Sequence, residues 1–259
     1  MEVALITVGD ELLAGDTVNT NANWLAEQLS DRGVTVSRIL SVPDSYEPIT
    51  THVTAYSDSF DAVIVTGGIG GTPDDITIEA VADAFDRELV VSELALSAVD
   101  RRLAELREQF PDRDLNVDSE AEATLPERSR PLLNEAGLAP GCVVENVYVL
   151  PGIPDELKTM YRSIVDEFSG DRQSLFLYTV EPEANIVWAL EEAMDRFDVA
   201  VGCYPDRVAD HNRLKITTTS DAQLTAASDW LLSNINASET AVSRDWHGDE
   251  KSNTDTDPD

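Results

Sequence analysis

Basic residues are scarce in this sequence. Lys and Arg total 18 against 50 Asp and Glu, so the chain of 259 residues carries a formal charge of −32 at neutral pH. The lysines are Lys158, Lys215 and Lys251. This balance disfavours nucleic acid as a ligand, because its phosphates are bound chiefly by cationic side chains.

The acidic residues are spread along the whole chain. Concentrated salt screens the self-repulsion of such a charge, so the composition predicts a halophilic protein. A surface that binds a basic partner would instead concentrate the acid in a few blocks, and only the C-terminal segment shows one.

Cysteines and long apolar runs are also lacking. Cys142 and Cys203 are far apart and have no metal-ligand spacing, so the sequence implies no disulfide framework and favours a reduced compartment. The N-terminus enters an apolar run without a basic region or cleavage site, and no run reaches about 18 apolar residues. We therefore predict a cytoplasmic protein that is neither exported nor inserted into a membrane.

Residues 60–77 hold most of the recognisable chemistry. An apolar run over residues 62–65 predicts a buried strand. Four glycines follow within five positions: Gly67, Gly68, Gly70 and Gly71. Thr72 and Pro73 then open a helical pattern. Because glycines let backbone amides approach an anion closely, this strand, glycine turn and helix N-terminus together predict a phosphate site.

Neither common glycine fingerprint fits this stretch. A P-loop needs a lysine and a different spacing, and no third glycine completes a dinucleotide pattern after Gly68 and Gly70. A tight turn with positive φ would by itself explain one or two of the glycines. Asp74 and Asp75 enter the first predicted helical turn, where they either cap the helix dipole or hold a divalent cation beside a bound phosphate.

Two earlier strand ends also deliver carboxylates. A predicted strand over residues 3–8 leads into a loop with Asp10 and Glu11, and a second over residues 34–42 leads to Asp44. Strands that alternate with helices predict a parallel sheet covered on both faces. Ligands bind at the carboxyl edge of such a sheet, although each acid taken alone is equally well explained as a turn or N-cap residue.

The next part of the chain is less distinctive. A short strand at residues 89–91 and an amphipathic helix over residues 92–110 precede a polar stretch, residues 111–130. That stretch predicts either a mobile flap over the carboxyl edge or a surface excursion. A strand over residues 143–150 then runs into a Pro-Gly turn and a helix through residue 168, which adds a further backbone turn to the same edge.

The pattern of elements resets near residue 170. Residues 171–235 predict a small α+β accessory domain of β-α-β-β-α order, with no motif of its own. Residues 236–259 are rich in Ser, Thr and Asp and predict a disordered acidic tail. The predicted organisation is therefore a main domain over residues 1–170, the accessory domain and the tail.

Four motifs in order resemble the molybdopterin-binding fold family that includes MoaB, MogA and the N-terminal domain of CinA. They lie at residues 8–15 with 19–21, at 66–77, at 139–141 and at 150–154. The first two read Val-Gly-Asp-Glu-Leu-Leu-Ala-Gly with Asn-Thr-Asn, and Thr-Gly-Gly-Ile-Gly-Gly-Thr-Pro-Asp-Asp-Ile-Thr. The others read Ala-Pro-Gly and Leu-Pro-Gly-Ile-Pro. Ile69 and the pair Asp74-Asp75 are similar to the CinA form, as is the small domain, so the chain resembles a stand-alone CinA-like protein.

This resemblance implies a three-layer α/β/α fold with a mostly parallel sheet. It also implies a homo-oligomer that holds a phosphorylated pterin or a nucleotide at the glycine-loop edge. The family's acidic residues fall on Asp44 and Asp75. The sequence stops before the C-terminal domain with which full-length CinA deamidates nicotinamide mononucleotide, so we expect no deamidase activity.

The resulting hypothesis is a metal-dependent nucleotide pyrophosphatase, with ADP-ribose as the substrate that the resemblance suggests. Asp44 and Asp75 would be catalytic and, helped by Asp10 or Glu11, would hold Mg²⁺ or Co²⁺. The expected ligand-binding residues are Gly67, Gly68, Gly70, Gly71, Thr72, Gly9, Asn19, Pro151 and Gly152.

Two other hypotheses keep the same site. The first is a molybdopterin-binding protein or molybdopterin adenylyltransferase, against which the aliphatic Ile69 weighs modestly. The second is a non-catalytic nucleotide-binding or oligomerisation module, in which the carboxylates are only caps.

Overall fold

The computed structural model describes residues 1–112 and 114–242. The chain divides into two compact units, Met1–Asp171 and a second that begins at Arg172. None of the helices in this described part is long and apolar enough to cross a membrane.

The first unit alternates strands and helices along most of its length. Its strands are β1 Glu2–Val8, β2 Thr35–Val42, β3 Ala62–Thr66, β4 Leu89–Val91, β5 Thr124–Pro126, β6 Arg130–Leu132, β7 Gly141–Val144 and β8 Val147–Leu150. Its helices are α1 Asp10–Ala14, α2 Thr20–Asp31, α3 Tyr46–Ser59, α4 Thr77–Ala84, α5 Glu93–Gln109, α6 Ser119–Glu122 and α7 Pro154–Ile164. A 3₁₀ turn, Val165–Glu167, follows α7.

The main sheet has six strands in the order β2-β1-β3-β8-β7-β6. Neighbouring strands from β2 to β8 pair in parallel, and β7 and β6 extend the sheet antiparallel. All five residues of β3 are buried, which is the pattern of a central parallel strand covered on both faces. One core packs α2 and α7 on one face, and a second packs α3, α4 and α5 on the other. The predicted three-layer α/β/α fold with a mostly parallel sheet is confirmed.

The predicted single strand over residues 143–150 is wrong. The structure has a hairpin there, in which β7 turns back into β8 through Glu145 and Asn146. Glu145 has a φ of 50°, and the Asn146 amide donates to the carbonyls of Ser57 and Phe60, so the turn is tied to the end of α3. The apolar residues on both sides of the turn hid it in the sequence.

Residues 111–130 are more regular than the sequence predicts. They contain α6 and β5, and β5 pairs with β4 in a two-stranded sheet. Ala123 and Leu125 are fully or almost fully buried and anchor the segment in the core beside the carboxyl edge of the main sheet. The expectation of a mobile flap or surface excursion is therefore wrong for β5, whereas α6 is a regular helix without a buried residue.

The second unit is a small α+β domain. Its elements are β9 Gln173–Thr179, α8 Glu183–Phe197, β10 Ala200–Asp206, β11 His211–Thr218, α9 Asp221–Asn234 and β12 Ala237–Ser238. The strands form an antiparallel sheet in the order β10-β11-β9-β12, and α8 and α9 bury Ile186, Leu190 and Leu231 against it. The predicted fold class of an added α+β domain is confirmed.

The tail predicted to be disordered begins with an ordered strand. Residues 237–238 pair with β9, and Thr179 donates its hydroxyl hydrogen to the carbonyl of Asn236. These backbone bonds override the polar composition, so the prediction is wrong at the start of this segment. The part of it over residues 243–259 lies outside the described residues.

The two cysteines differ in burial. Cys142 is completely buried in β7, and burial raises its pKa to about 12, while Cys203 is partly exposed. Because the thiolate is the reactive form, we expect Cys142 to resist alkylation in the folded protein at pH 8 and to react only on unfolding. Mass spectrometry after iodoacetamide treatment with and without denaturant measures this. Native labelling of Cys142 at the unfolded rate would contradict it.

Candidate functional site

A cavity of about 640 Å³ opens at the carboxyl edge of the main sheet. It lies where β1, β2, β3 and β8 end. Its lining residues are Val8, Gly9, Glu11, Asp44, Gly67, Gly68, Ile69, Gly70, Gly71, Thr72, Asp74, Asp75, Glu122, Leu138, Ala139, Pro151, Gly152, Ile153, Pro154 and Glu156. Six of these are carboxylates, and none is Lys, Arg or His. The cavity therefore combines an uncharged glycine wall with a strongly negative one.

The glycine wall follows β3 directly. Gly67, Gly68 and Gly70 have φ values of 93°, 63° and 156°, a region that other residues adopt only with strain. A Cβ on Gly67 would collide with the carbonyl oxygen of Val8, and one on Gly70 would lie 2.8 Å from Oδ2 of Asp75. Backbone geometry thus requires three of the four glycines, more than the one or two expected of a tight turn.

The helix after the glycines begins later than predicted. Residues 72–76 form turns and irregular backbone, and α4 starts at Thr77, so Pro73, Asp74 and Asp75 are not in its first turn. Thr77 holds this start in place, since its amide donates to the Gly68 carbonyl (2.9 Å) and its hydroxyl to the Gly67 carbonyl (2.9 Å). The predicted helix start at Pro73 is wrong because these bonds fold the helix back onto the glycine turn.

Asp75 fastens the loop onto itself. Its Oδ2 accepts hydrogen bonds from the backbone amide (3.1 Å) and the hydroxyl (2.6 Å) of Thr72. Asp74 is exposed, and a hydrogen bond from Thr72 lowers the pKa of its carboxyl. Both side chains line the cavity, so the loop presents two carboxylates while one oxygen of Asp75 is engaged in its own structure.

Asp10 and Asp44 are joined by reciprocal hydrogen bonds. The Asp10 amide donates to Oδ2 of Asp44 (2.8 Å), and the Asp44 amide donates to Oδ1 of Asp10 (3.3 Å). Asp10 and Glu11 lie in α1, a short helix where the sequence predicted a loop. Of the predicted metal ligands, Glu11, Asp44 and Asp75 line the cavity, whereas Asp10 supports Asp44 from outside the lining.

The charge at Asp44 is crowded. Burial raises the pKa of the Asp44 carboxyl, the hydrogen bond from the Asp10 amide opposes this, and the negative charges of Asp10, Glu11 and Asp74 raise the pKa further. A nearby cation would relieve that repulsion. This is the chemistry of an oxygen-ligand site for a hard divalent ion.

Two of the other predicted ligand-binding residues line the cavity from the β8 side, and a third lies next to it. Pro151 and Gly152 come directly after β8, and Gly152 is packed so closely that a Cβ would lie 3.3 Å from the Gly67 Cα. Asn19 instead caps α2, accepting from the Ala22 amide, and lines a neighbouring cavity of about 90 Å³. Gly9 and Thr72 complete the predicted set within the main cavity.

Two acidic lining residues were missed by the sequence prediction. Glu122 lies on α6, and its Oε1 would be 2.5 Å from a Cβ placed on Gly71. Glu156 lies at the start of α7 and accepts a hydrogen bond from the Asn134 side chain (2.7 Å). Nothing in the sequence distinguishes these two from the other acidic residues of so acidic a chain, because each reaches the site only through folding.

Among the described residues, no group of three or more His, Cys, Asp or Glu side chains is arranged so that it could hold a metal ion by itself. The donors nevertheless suit magnesium, which in phosphate-processing sites is bound by one or two carboxylates together with waters and substrate phosphates. Asp44 and Glu11 supply such oxygens on one wall. The two carboxylates would therefore fit a divalent ion only if a phosphorylated ligand and waters completed its coordination.

The geometry defines an α/β ligand-binding domain with an acidic, glycine-walled cleft at the carboxyl edge of its sheet. The family described as "Probable molybdopterin binding domain" matches residues 4–169, and the one described as "FAD synthase, middle domain" matches residues 173–243. The chain therefore belongs to the molybdopterin-binding domain family of MoaB/Mog type, and its relatives include CinA-like proteins.

Two of the similar proteins match more residues than the first unit contains. A protein of Archaeoglobus fulgidus is 36% identical over 208 residues, which are 79% of this chain and 86% of that protein. A CinA-like protein of Citrifermentans bemidjiense is 35% identical over 236 residues, 86% of this chain but only 55% of the relative. Among solved structures, the fold is similar to that of CinA from Thermoplasma acidophilum, a protein of unknown function, with a TM-score of 0.56 and 32% sequence identity. The match covers 64% of this chain and 97% of that one.

Proposed function

We propose that this protein is a divalent-metal-dependent nucleotide pyrophosphatase that cleaves the diphosphate of ADP-ribose or a related dinucleotide. The observation that carries the proposal is the make-up of the cavity, which is lined by a glycine loop and six carboxylates and by no basic side chain. A diphosphate would be repelled by such a wall unless a cation accompanied it. The glycine loop offers backbone close to the ligand, and the carboxylates offer oxygen ligands to the cation.

The chain's own residues divide the work of binding and orientation. The loop over residues 67–71 would place the diphosphate, and its shape is held by Thr77 and by the bond between Asp75 and Thr72. The apolar side chains of Leu138 and Ile153 would exclude water from one side of the ligand. Asp44, oriented by Asp10, would face the phosphates from the opposite wall.

A divalent cation would be held by Asp44 and Glu11, with Asp75 as the further ligand expected from the sequence. When bound, it would supply charge neutralisation and a polarised phosphorus centre. Burial raises the pKa of Asp44, and the negative charges of Asp10, Glu11 and Asp74 raise it further. The repulsion from those charges supports this role, because a cation would remove it.

A role in molybdopterin metabolism is a second candidate. It is favoured by the description of the family that matches residues 4–169, a molybdopterin-binding domain. The same loop and apolar wall would hold a phosphorylated pterin, either as a bound cofactor precursor or as the acceptor of an adenylyl group. This candidate differs from the first in its product, since no free sugar phosphate is released.

A binding module without catalysis is a third candidate. The hydrogen bonds that tie Asp44 to Asp10 and Asp75 to Thr72 favour it, because they give both acids a structural role. Ligand binding would then be unaffected by removal of divalent ions. Both enzyme candidates instead require activity to be lost when divalent ions are removed.

The decisive test is turnover of ADP-ribose in concentrated KCl, which screens the charge of −32. We expect release of AMP and ribose 5-phosphate with Mg²⁺ or Co²⁺, and none after chelation, as measured by chromatography of the products. Asp75→Asn should reduce this turnover. Tight molybdopterin binding without hydrolysis would instead support the second candidate. Nucleotide binding that is unaffected by a chelator, without turnover, would support the third candidate.

A further inference from the structure

A second group of acidic residues, formed by Glu122 with Asp75 and Asp118, is distinct from the group formed by Asp44 with Asp10 and Glu11. It centres on Glu122, in a helix that the sequence predicted as irregular chain. Glu122 lines both the main cavity and a smaller one of about 50 Å³ beneath the loop. Its carboxylate therefore lies between the glycine turn and α6.

The position of Glu122 is fixed by its surroundings. Asp118 caps α6 by accepting from the amides of Glu120 and Ala121 (3.2 Å each). The next residue, Ala123, is fully buried, which anchors the end of the helix in the core. The backbone that carries Glu122 is thus anchored beside the cavity.

The Glu122 carboxylate approaches the glycine loop closely. A Cβ placed on Gly71 would lie 2.5 Å from its Oε1, so the absence of a side chain at Gly71 is what makes room for it. The φ of Gly71 is outside the left-handed region, which means that backbone strain does not explain this glycine. The glycine is instead explained by the space that the Glu122 carboxylate occupies.

The two acids nearest the loop differ in their availability. Asp75 has one oxygen engaged by two hydrogen bonds from Thr72. No described residue donates a hydrogen bond or forms an ion pair to the Glu122 carboxylate. Burial raises the pKa of Glu122, and the negative charges of Asp75 and Asp118 add to the rise. Of these two acids, Glu122 is the one with both carboxylate oxygens left to bind a ligand or a water.

We propose that Glu122 is a catalytic residue that orients the attacking water and accepts its proton, an inference that rests on the pyrophosphatase function proposed above. The water oxygen forms a bond to phosphorus while its proton passes to a Glu122 oxygen. The bridging P–O bond breaks, and its electron pair leaves on the second phosphate. Two phosphate monoesters result, and the proton is later released to solvent.

The test compares Glu122→Gln with Glu120→Gln in the full chain. Glu120 lies on the same helix, is exposed and undergoes the same change of charge. Loss of a general base lowers kcat by about 100-fold. We expect that loss for Glu122→Gln, with nucleotide Kd unchanged or tighter because a negative charge beside the phosphates is removed, and wild-type kcat for Glu120→Gln. A merely structural role would weaken Kd as well.

A second variant moves the carboxylate without removing its charge. Gly71→Ala would push the flexible end of Glu122 off the loop, and we expect kcat to fall at least about 10-fold while circular dichroism stays unchanged. If the wild type is active and both variants keep its kcat, the proposed role of Glu122 is overturned while the pyrophosphatase function stands. Absence of turnover in the wild type would overturn the pyrophosphatase function and this inference with it.

Discussion

Gly67→Ala is expected to lower the free energy of unfolding by about 3 kcal/mol or more and to abolish ligand binding. Gly67 has a φ of 93°, and a Cβ at this position would collide with the backbone carbonyl oxygen of Val8 on the neighbouring strand. That oxygen cannot move without displacing β1 from the centre of the sheet. The strand ends would therefore separate where the cavity forms.

The matched control for this prediction is Gly15→Ala. Gly15 also has a positive φ, 80°, but no heavy atom lies within 4 Å of the position that its Cβ would take. Its replacement should cost only the conformational penalty, about 1 kcal/mol. Urea unfolding of both variants in concentrated KCl measures the difference. Equal losses of stability would mean that the contact with Val8 has no part in the cost.

The parallel core could be predicted because its signals are local. The apolar run that becomes β3 is buried along its whole length, as the sequence predicts. The strand ends then follow from topology, since parallel strands place their carboxyl ends at one edge. Asp44 and the glycine loop were found in this way.

The rest depended on contacts that no local pattern encodes. α4 begins at Thr77 because that residue bonds back to Gly67 and Gly68. Glu122 reaches the cavity because α6 is anchored by burial of Ala123, far along the chain from the glycines. Acidic residues are so common in this sequence that an acid at the site looks the same as an acid on the surface.

The two halves of the acidic wall have different hydrogen bonding. Asp44 is bonded to Asp10 on the adjacent strand end, which fixes its direction but leaves its charge crowded. Asp75 is bonded within its own loop. Repulsion between crowded charges lowers the stability of the folded protein, so a residue with a purely structural role would be more stable without its charge. Charges that are kept at such a cost are characteristic of functional sites.

Asp44→Asn is expected to lower pyrophosphatase turnover by about 1,000-fold without destabilising the protein. The asparagine keeps an oxygen to accept from the Asp10 amide but loses the charge proposed to bind the cation, and cation stabilisation of the phosphate is worth several kcal/mol. The exposed Asp16→Asn makes the same charge change outside the cavity lining and should retain wild-type turnover. Wild-type turnover in Asp44→Asn would contradict the proposed cation site.

The pH dependence of stability separates these roles further. Because the pKa of Asp44 is raised in the folded state, ionisation of its carboxyl disfavours folding. The wild type therefore loses folding stability as the pH rises through that pKa. Asp44→Asn lacks the titration and should be the more stable protein at pH 7 in metal-free buffer. The gap should close below the ordinary pKa of Asp, and a saturating divalent cation should reverse it by stabilising only the wild type. Urea unfolding of both proteins across pH 3.5 to 8 measures the gap, and a variant less stable than the wild type in metal-free buffer at pH 7 would show that Asp44 is needed for the fold.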